Sequence, residues 1–296
     1  MKGSKKEVSL IIPTYNGRDR VARLLSSISQ IAPAELLEVL ICDDGSSERL
    51  ELGSRCFAGG PSLRHLRQDR DGARRGCARN LGIRVAQGET LLFIDDDCLI
   101  GPKTLAAHVA VHKQISDCAA VGYRVRRRQT TDGPRTTLDF RRRSLGPNGE
   151  RLSDCSSPWR FGYTCNLSVS GRARKFEFAS KFRGWGYEDL EYSYRLYRNG
   201  ISFCGVPRGT VWHIDDTVED PFRLKDLGQE ADFTSAVLNA ARIVDLHKHN
   251  DEIIRFVMDE LVGLRIRGGK CISADCPDPP AEILGWALDK LRGDAE

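Results

Sequence analysis

The chain has 296 residues, with 45 Lys and Arg against 41 Asp and Glu, for a formal net charge of +4. At 40% hydrophobic and 29% charged residues it can bury a sizeable core, as one large α/β domain or two smaller ones. This balance argues against disorder, collagen-like repeats and a disulfide-built miniprotein, and no apolar run approaches the roughly 18–20 residues that cross a bilayer.

Taken in chain order, the polar, basic start runs directly into Val8–Ile12, a β-type run ended by Pro13 and too short for a signal-peptide core. Val8–Ile12 predicts a buried strand, and Arg20–Ile31 a helix with Val21, Leu24, Leu25 and Ile28 on one face. Val39–Cys42 reads as a second strand, closed by the turn-and-cap cluster Asp43-Asp44-Gly45-Ser46-Ser47. Leu63–Leu66 is a third, Ala73–Ala86 a helix, and Thr90–Ile94 a fourth strand running into Asp95, Asp96 and Asp97. Strands and helices alternating at this spacing predict a parallel sheet covered on both faces. Ligands of such sheets bind at the carboxyl ends of the strands, where Thr14–Asn16, Asp43–Asp44 and Asp95–Asp97 all fall.

Further on, Thr104–Gln114 predicts a helix and Ala119–Tyr123 an apolar stretch. Residues 124–149, rich in Arg, Thr, Gly and Pro, read as a mobile loop or a hairpin. Phe161–Ser170 looks extended, Glu188–Arg198 helical and Ile201–Val206 a strand. The pattern then turns helical, over Phe233–Leu246, Asp251–Leu264 and a short segment around Ile283–Leu291. The expected division is a first domain, 1–219, and a helical extension, 220–296, whose apolar residues (Val237, Ile243, Val244, Ile253, Ile254 and Val257) pack back on that domain. The ten cysteines form no C-x-x-C pair, so a zinc ribbon has no support. Without an export signal they are expected to be reduced thiols of a cytoplasmic protein, or of one peripheral to a membrane. Cys271 and Cys276 are near enough to cross-link in an oxidant, although free core and surface thiols are the favoured alternative.

Three constellations carry chemistry. Asp95, Asp96 and Asp97 crowd carboxylates at the mouth of a buried strand, a costly arrangement unless a cation neutralises them. Hard oxygen ligands suit Mg²⁺ or Mn²⁺, and a helix N-cap cluster is the alternative. In Gly184-Trp185-Gly186-Tyr187-Glu188-Asp189, flanking glycines turn the backbone closely around an aromatic face suited to a sugar ring. Glu188 and Asp189 then open a helix, where a carboxylate is a candidate general base for a hydroxyl. The alternative is a capped surface helix beside a core Trp. His213 closes an apolar strand and can complete an Asp/His metal site, or be structural. The chain lacks a G-x-G-x-x-G turn, a G-x-x-x-x-G-K-[ST] loop, a G-x-S-x-G elbow and H-E-x-x-H. Phosphate charge must therefore be met by a metal and by Arg or Lys side chains.

As a set, Ser9–Asn16, Ile41–Ser47, Ala78–Ile83 and Phe93–Asp97 resemble glycosyltransferase family 2, in that family's order. Phe182–Asp189 is similar to the G-W-G-x-E-D element of galactosyl- and N-acetylgalactosaminyltransferases and of chondroitin-polymerase-type modules. The resemblance implies a GT-A fold, a nucleotide-diphospho-sugar donor, Mn²⁺ or Mg²⁺, and inversion at the anomeric carbon. It places Pro13, Tyr15 and Asn16 at the base pocket, Tyr15 against uracil, with Asp44 accepting from the base. Arg79 and Asn80 would lie beside the nucleotide, Asp95 toward the ribose with Asp96 next to it, and Asp97 and His213 on the metal. Asp189 would be the catalytic base, Glu188 and Trp185 the sugar contacts, and Asn166, in an N-L-S segment, an acceptor contact. Cys98 departs from the pattern, standing where many relatives carry another acidic residue.

The activity so implied is transfer of a hexose or N-acetylhexosamine from a UDP-sugar to a hydroxyl of a glycan, peptide or other acceptor, an anionic one included. The rival readings are a metal-dependent nucleotidyltransferase and a non-catalytic nucleic-acid-binding protein using Arg124–Arg143. The second has the charge for phosphate contacts but no binding motif around it.

Overall fold

The computed structural model describes residues 7–48, 50, 57, 60–130, 132–215, 230–247, 250–268 and 280–293. β1 (Val8–Thr14) is buried along its whole length, and its side chains alternate between two apolar cores, as the period of two requires. Leu10 and Ile12 enter one, Ile11 the other. β1 pairs in parallel with β2 (Leu36–Asp43) and β4 (Thr90–Ile94), and β2 with β3 (Ser62–Arg67). On the Leu10 face, α1 (Arg18–Ile31) buries Val21, Leu24, Leu25 and Ile28. On the Ile11 face lies α2 (Arg75–Val85), whose Ala78 joins that core.

The chain then adds β5 (Cys98–Ile100), α3 (Thr104–Gln114), β6 (Cys118–Val121), β7 (Arg124–Thr130), β8 (Gly133–Thr137) and the one-turn α4 (Arg142–Leu145). β9 (Asn166–Ser170), α5 (Glu188–Arg198), β10 (Ser202–Gly205) and β11 (Val211–Asp215) follow, and α6 (Glu230–Leu246), α7 (Asp251–Gly268) and α8 (Pro280–Gly293) end the described chain. The large sheet has the order β10-β6-β9-β4-β1-β2-β3. Only β9 runs antiparallel, wedged between β4 and β6, so the sheet is mainly parallel, as expected, with one reversed strand. A second sheet, β5-β11-β7-β8, was not foreseen as a sheet. It forms because β11 pairs with β5 immediately after the acidic end of β4.

Of the two readings of residues 124–149, the hairpin holds for β7 and β8, which pair antiparallel. α6, α7 and α8 bury Val237, Ile243, Val244, Ile253, Val257 and Ile283 in the same core as Ile11 and Phe93. The apolar core is therefore continuous from the sheet into the C-terminal helices. Residues 216–229, where the expected boundary falls, lie outside the described residues, as do Cys271 and Cys276. Among the described residues no helix is long and apolar enough to cross a membrane.

Candidate active site

Because β1, β2 and β4 are parallel, their carboxyl ends gather on one edge of the sheet. Thr14 pairs with Asp43 in register, and the Asp44 N–H donates to the Thr14 carbonyl at 2.9 Å. Asp96 is anchored there: Thr14 Oγ1 donates to it at 2.6 Å and Arg20 through Nε and Nη2 at 2.9 and 3.0 Å. Gly17, just before α1, has to be glycine, since a Cβ would run into Asp96 and Thr14. Asn16, held at φ 47°, braces the neighbouring turn by accepting from the Ser47 N–H and donating its own N–H to Ser46.

Tyr15 stands 41% exposed beside this edge, with the Arg70 guanidinium 3.7 Å above its ring. Arg70 also donates to Asp44 at 2.8 Å. The buried Asp44 carboxylate collects two more donors, Gln68 Nε2 at 2.6 Å and the Arg74 N–H at 2.7 Å. Tyr15, Asp44 and Arg70 thus form one connected surface, while Pro13 is buried inside β1. The same loop reaches the Gly-Trp-Gly segment, whose Gly184 N–H donates to the Ala73 carbonyl at 2.9 Å.

The two acidic ends meet at Arg79. Its guanidinium, 2% exposed, donates to Asp95 at 2.9 Å and to Glu188 at 3.1 Å. Burial alone would weaken the charge on Arg79, but Asp95, Glu188 and Asp189 outweigh it. One buried cation, 109 residues before Glu188 in the chain, therefore ties the end of β4 to the start of α5. The next carboxyl behaves differently. Burial pushes Asp189 up to about 7, and the Glu188 charge adds to the rise against the opposing Arg79. A carboxylate in this state is a better base than an ordinary Asp and stays chargeable near neutrality. The turn presenting it is strained: Tyr187 sits at φ 71°, between Gly186 at φ 85° and the helix. A non-glycine residue held there costs about 1–3 kcal/mol and persists where the surroundings enforce it.

The enforcement comes from the C-terminal helices. Asn239 of α6, 1% exposed, donates through Nδ2 to the carbonyls of Arg183, Trp185 and Gly186 at 2.8, 3.2 and 3.0 Å. Ser235 accepts from the Trp185 N–H at 3.1 Å. Trp185 itself is 40% exposed.

On the other side of β4, His213 Nε2 lies 3.2 Å from Asp97 Oδ2. Strand pairing enforces this proximity, because His213 pairs with Cys98 and the Ile214 N–H donates to the Asp97 carbonyl at 2.9 Å. Burial would raise the Asp97 carboxyl, but His213, joined by Cys98 and Arg20, holds it below the usual range. His213 Nδ1 is buried without a partner among the described residues. The Asp97 carboxylate suits Mn²⁺ or Mg²⁺, while the His213 imidazole suits a softer divalent cation than Mg²⁺. Among the described residues no group of three or more ligating side chains gathers, so the remaining positions would fall to substrate oxygens and water.

Three residues expected at the ligand have other occupations. Asn80 exchanges two hydrogen bonds with the Phe178 backbone, at 2.9 and 2.7 Å, and pins that segment. Asp96 is taken up by Thr14 and Arg20, as above. Asn166 is fully buried. It donates to the Tyr123 and Gly209 carbonyls at 2.8 and 2.6 Å and pairs with His108 Nε2 at 2.9 Å. Arg70, Asn239 and Ser235 were not anticipated. No local spacing marks them, because their partners lie tens of residues away.

A family model described as glycosyl transferase family 2 matches residues 9–169. Validoxylamine A glucosyltransferase of Streptomyces hygroscopicus subsp. jinggangensis is 29% identical over 81% of this chain and 61% of its own length. Chondroitin synthase of Escherichia coli is 26% identical over 70% of this chain and 34% of its own. The chain thus spans only part of the curated relatives it matches. Among solved structures, S. aureus TarS in complex with UDP-GlcNAc superposes with a TM-score of 0.61 at 19% identity, covering 88% of this chain and 74% of that one. GalNAc-T7 with UDP, GalNAc and Mn²⁺ does so with a TM-score of 0.58 at 16% identity, covering 90% and 58%. These neighbours are GT-A glycosyltransferases, and the likeness places this chain in the same fold.

Proposed function

Because the chain belongs to glycosyl transferase family 2, we propose that this glycosyltransferase is an inverting, metal-dependent enzyme. It moves a hexose or N-acetylhexosamine from a UDP-sugar to an acceptor hydroxyl. The observation that carries this reading is the Arg79 bridge, which sets the Asp95–Asp97 strand end and the Glu188–Asp189 helix start around one place. The UDP complexes of the structural neighbours support uracil as the base.

In this reading Tyr15 stacks on the base and Asp44 accepts from it, with Arg70 swinging from between them or forming the third wall. Asp95 faces the ribose. Asp97 and His213 hold the divalent cation, whose chemistry when bound is to neutralise charge on the departing diphosphate. Trp185 packs on a sugar ring. Asp189 takes the acceptor O–H proton while that oxygen bonds to the anomeric carbon. The bond from that carbon to the diphosphate breaks on the opposite face, and UDP leaves. Glu188, held by its ion pair with Arg79, places a negative charge beside Asp189 and raises its proton affinity against the opposing Arg79.

The test is a UDP-sugar hydrolysis panel with Mn²⁺, Mg²⁺ or EDTA, which needs no acceptor. UDP release with one or two sugars, abolished by EDTA, is expected. Release of UMP and sugar 1-phosphate instead would point to attack at the nucleotidyl phosphorus, and turnover unaffected by EDTA would remove the metal from the scheme.

A further inference from the structure

Between β8 and α4 the chain alternates sharply: Leu138 is 58% exposed, Asp139 buried, Phe140 57% exposed and Arg141 buried. The buried pair is fully engaged. Asp139 accepts from Arg141 Nε and Nη2 at 2.9 and 2.6 Å and from the Arg124 N–H at 2.9 Å. Arg141 also donates to the Phe161 and Gly122 carbonyls at 2.8 and 2.9 Å. A buried ion pair is costly to assemble. This one fixes the backbone so that Leu138 and Phe140 stand in water. Among the described residues they are the two most exposed large apolar side chains.

The segment reaches the site through Tyr163. The Phe140 ring packs edge-on against the half-buried Tyr163 ring, with centroids 6.1 Å apart and planes at 68°. Tyr163 is placed from two directions. Three residues later Asn166 pairs with Ile94, immediately before Asp95, so residue 163 lies past the carboxyl end of β4. From the other direction, Ser193 Oγ donates to the Gly162 carbonyl at 2.9 Å. Ser193 is one turn after Asp189 on α5, and residues four apart share a helix face. Tyr163 is therefore held between the Asp95 strand end and the face of α5 that carries Asp189. Burial, with the Asp189 charge, raises its phenol above the ordinary value. An aromatic wall thus leads outward from the candidate base, Tyr163 first and Phe140 beyond it.

We infer that this wall is the platform for an oligosaccharide acceptor, whose second ring, next to the reacting one, lies on Phe140. The inference rests on the glycosyltransferase reading above and names the acceptor class for that site. An aromatic face takes apolar C–H surface out of water, and a sugar ring offers such a face between its hydroxyls. The 68° angle turns the two aromatic faces in different directions. One sugar ring cannot lie flat on both, so a second ring is needed to use Phe140. A polyol has no ring for this wall, and a peptide backbone none at a fixed spacing. A bilayer would take Leu138 and Phe140 as an outward pair, whereas Phe140 leans inward on a ring at the edge of the site.

The experiment uses the full chain with Mn²⁺ and a UDP-sugar panel. The acceptors are methyl glucoside and methyl cellobioside, the methyl glycosides of N-acetylglucosamine and chitobiose, glycerol and a Ser/Thr peptide. UDP release is followed as the rate, saturation-transfer NMR as the binding signal, and sedimentation with anionic phosphatidylglycerol vesicles as the lipid arm. At least one methyl diglycoside should exceed its monoglycoside in kcat/KM by about tenfold, expressed in KM. Phe140→Ala should abolish that gain, and Phe140→Trp should keep it. Ile115→Ala, an exposed apolar residue at the end of α3, should also keep it. Equal use of mono- and diglycosides by the parent overturns the inference, as does preference for glycerol or the peptide. So does equal loss of both glycosides in Phe140→Ala, loss of the gain in Ile115→Ala, or vesicle binding lost in Phe140→Ala with no diglycoside gain. UDP release without a diglycoside gain overturns the platform alone. Saturation transfer to a diglycoside, lost in Phe140→Ala, with no UDP release from any UDP-sugar overturns the enzymatic reading and leaves a saccharide-binding surface. Absence of both signals overturns both.

Discussion

The two acidic ends of the site are built from the same residue type and end in opposite electrostatic states. At the end of β4, Asp97 meets a histidine from the next sheet and is held below the usual carboxylate range. At the start of α5, Asp189 sits beside Glu188 in a walled-in corner and is pushed up to about 7. Both are largely desolvated, so the partner decides the sign. A carboxylate that stays ionised suits cation binding. One that exchanges its proton near neutrality suits the activation of a hydroxyl. The carboxyls of Asp95 and Glu188 share Arg79, which keeps the two ends close without giving either one the other's character.

The largest effect that could break this contrast is at Asp189. Asp189→Asn should lower transfer by about 10²–10⁴-fold while leaving UDP affinity within a factor of two or so. In the parent enzyme the rate should climb as pH rises through about 7, where Asp189 ionises. Stability should run the other way. A carboxyl whose native pKa is raised above 3.8 contributes stability that is complete below that value and is lost as pH rises through about 7. The Asn variant should therefore be the more heat-stable protein at pH 8, by about 1–3 kcal/mol. A variant melting below the parent at pH 8 would show that Asp189 is not held against its preference.

Next in size is Arg79. Arg79→Met leaves Asp95 and Glu188 without their shared cation, and should cost about 3 kcal/mol, read as a drop in the thermal or urea midpoint. Arg79→Lys should recover little, since a single ammonium cannot fork to both carboxylates. Full recovery by lysine would mean that charge alone, not the bridging geometry, is what the site needs.

At the other end, His213→Ala should weaken Mn²⁺-dependent UDP binding by about 10–100-fold with no shift in the pH profile, which belongs to Asp189. Titration calorimetry with and without the cation separates this from a loss of nucleotide contacts. The smallest effect is at Asn239. Asn239→Ala leaves three loop carbonyls without their shared donor, costing about 1–3 kcal/mol locally. It should lower kcat more than it alters UDP affinity, because it loosens the turn carrying Trp185 and Asp189. Unchanged kcat would assign the Asn239 contacts to folding only.

Much of the architecture was legible in the sequence because it is written locally. The α1 face of Val21, Leu24, Leu25 and Ile28 is a 3.6-residue stripe, and α3 and α5 have the bounds that periodicity predicts. The parallel order followed from strand and helix alternation, and it alone placed Thr14, Asp44 and Asp95 on one edge. What escaped was long-range. The reversed β9 and the second sheet depend on pairings between segments distant in sequence, which no local period reports.

Arg79 is instructive. A charged residue on a helix reads as solvent-facing or ligand-facing, yet its neighbours on that helix are small: Gly76, Ala78 and Gly82 are buried with it. That run of small residues marks the face that packs closely, and an arginine on such a face must find buried carboxylates. Asn239 had no such signal. It lies on an amphipathic helix whose other buried residues are apolar, and its partners are backbone carbonyls some 50 residues upstream.

The account is tested most directly by a crystal structure of the protein with UDP and Mn²⁺. It should hold the cation against Asp97 and His213, the base on Tyr15, and the diphosphate directed toward the corner where Glu188 and Asp189 open their helix. A cation bound away from both Asp97 and His213, or a nucleotide seated with Asp189 on the far side of the protein from its diphosphate, would contradict it.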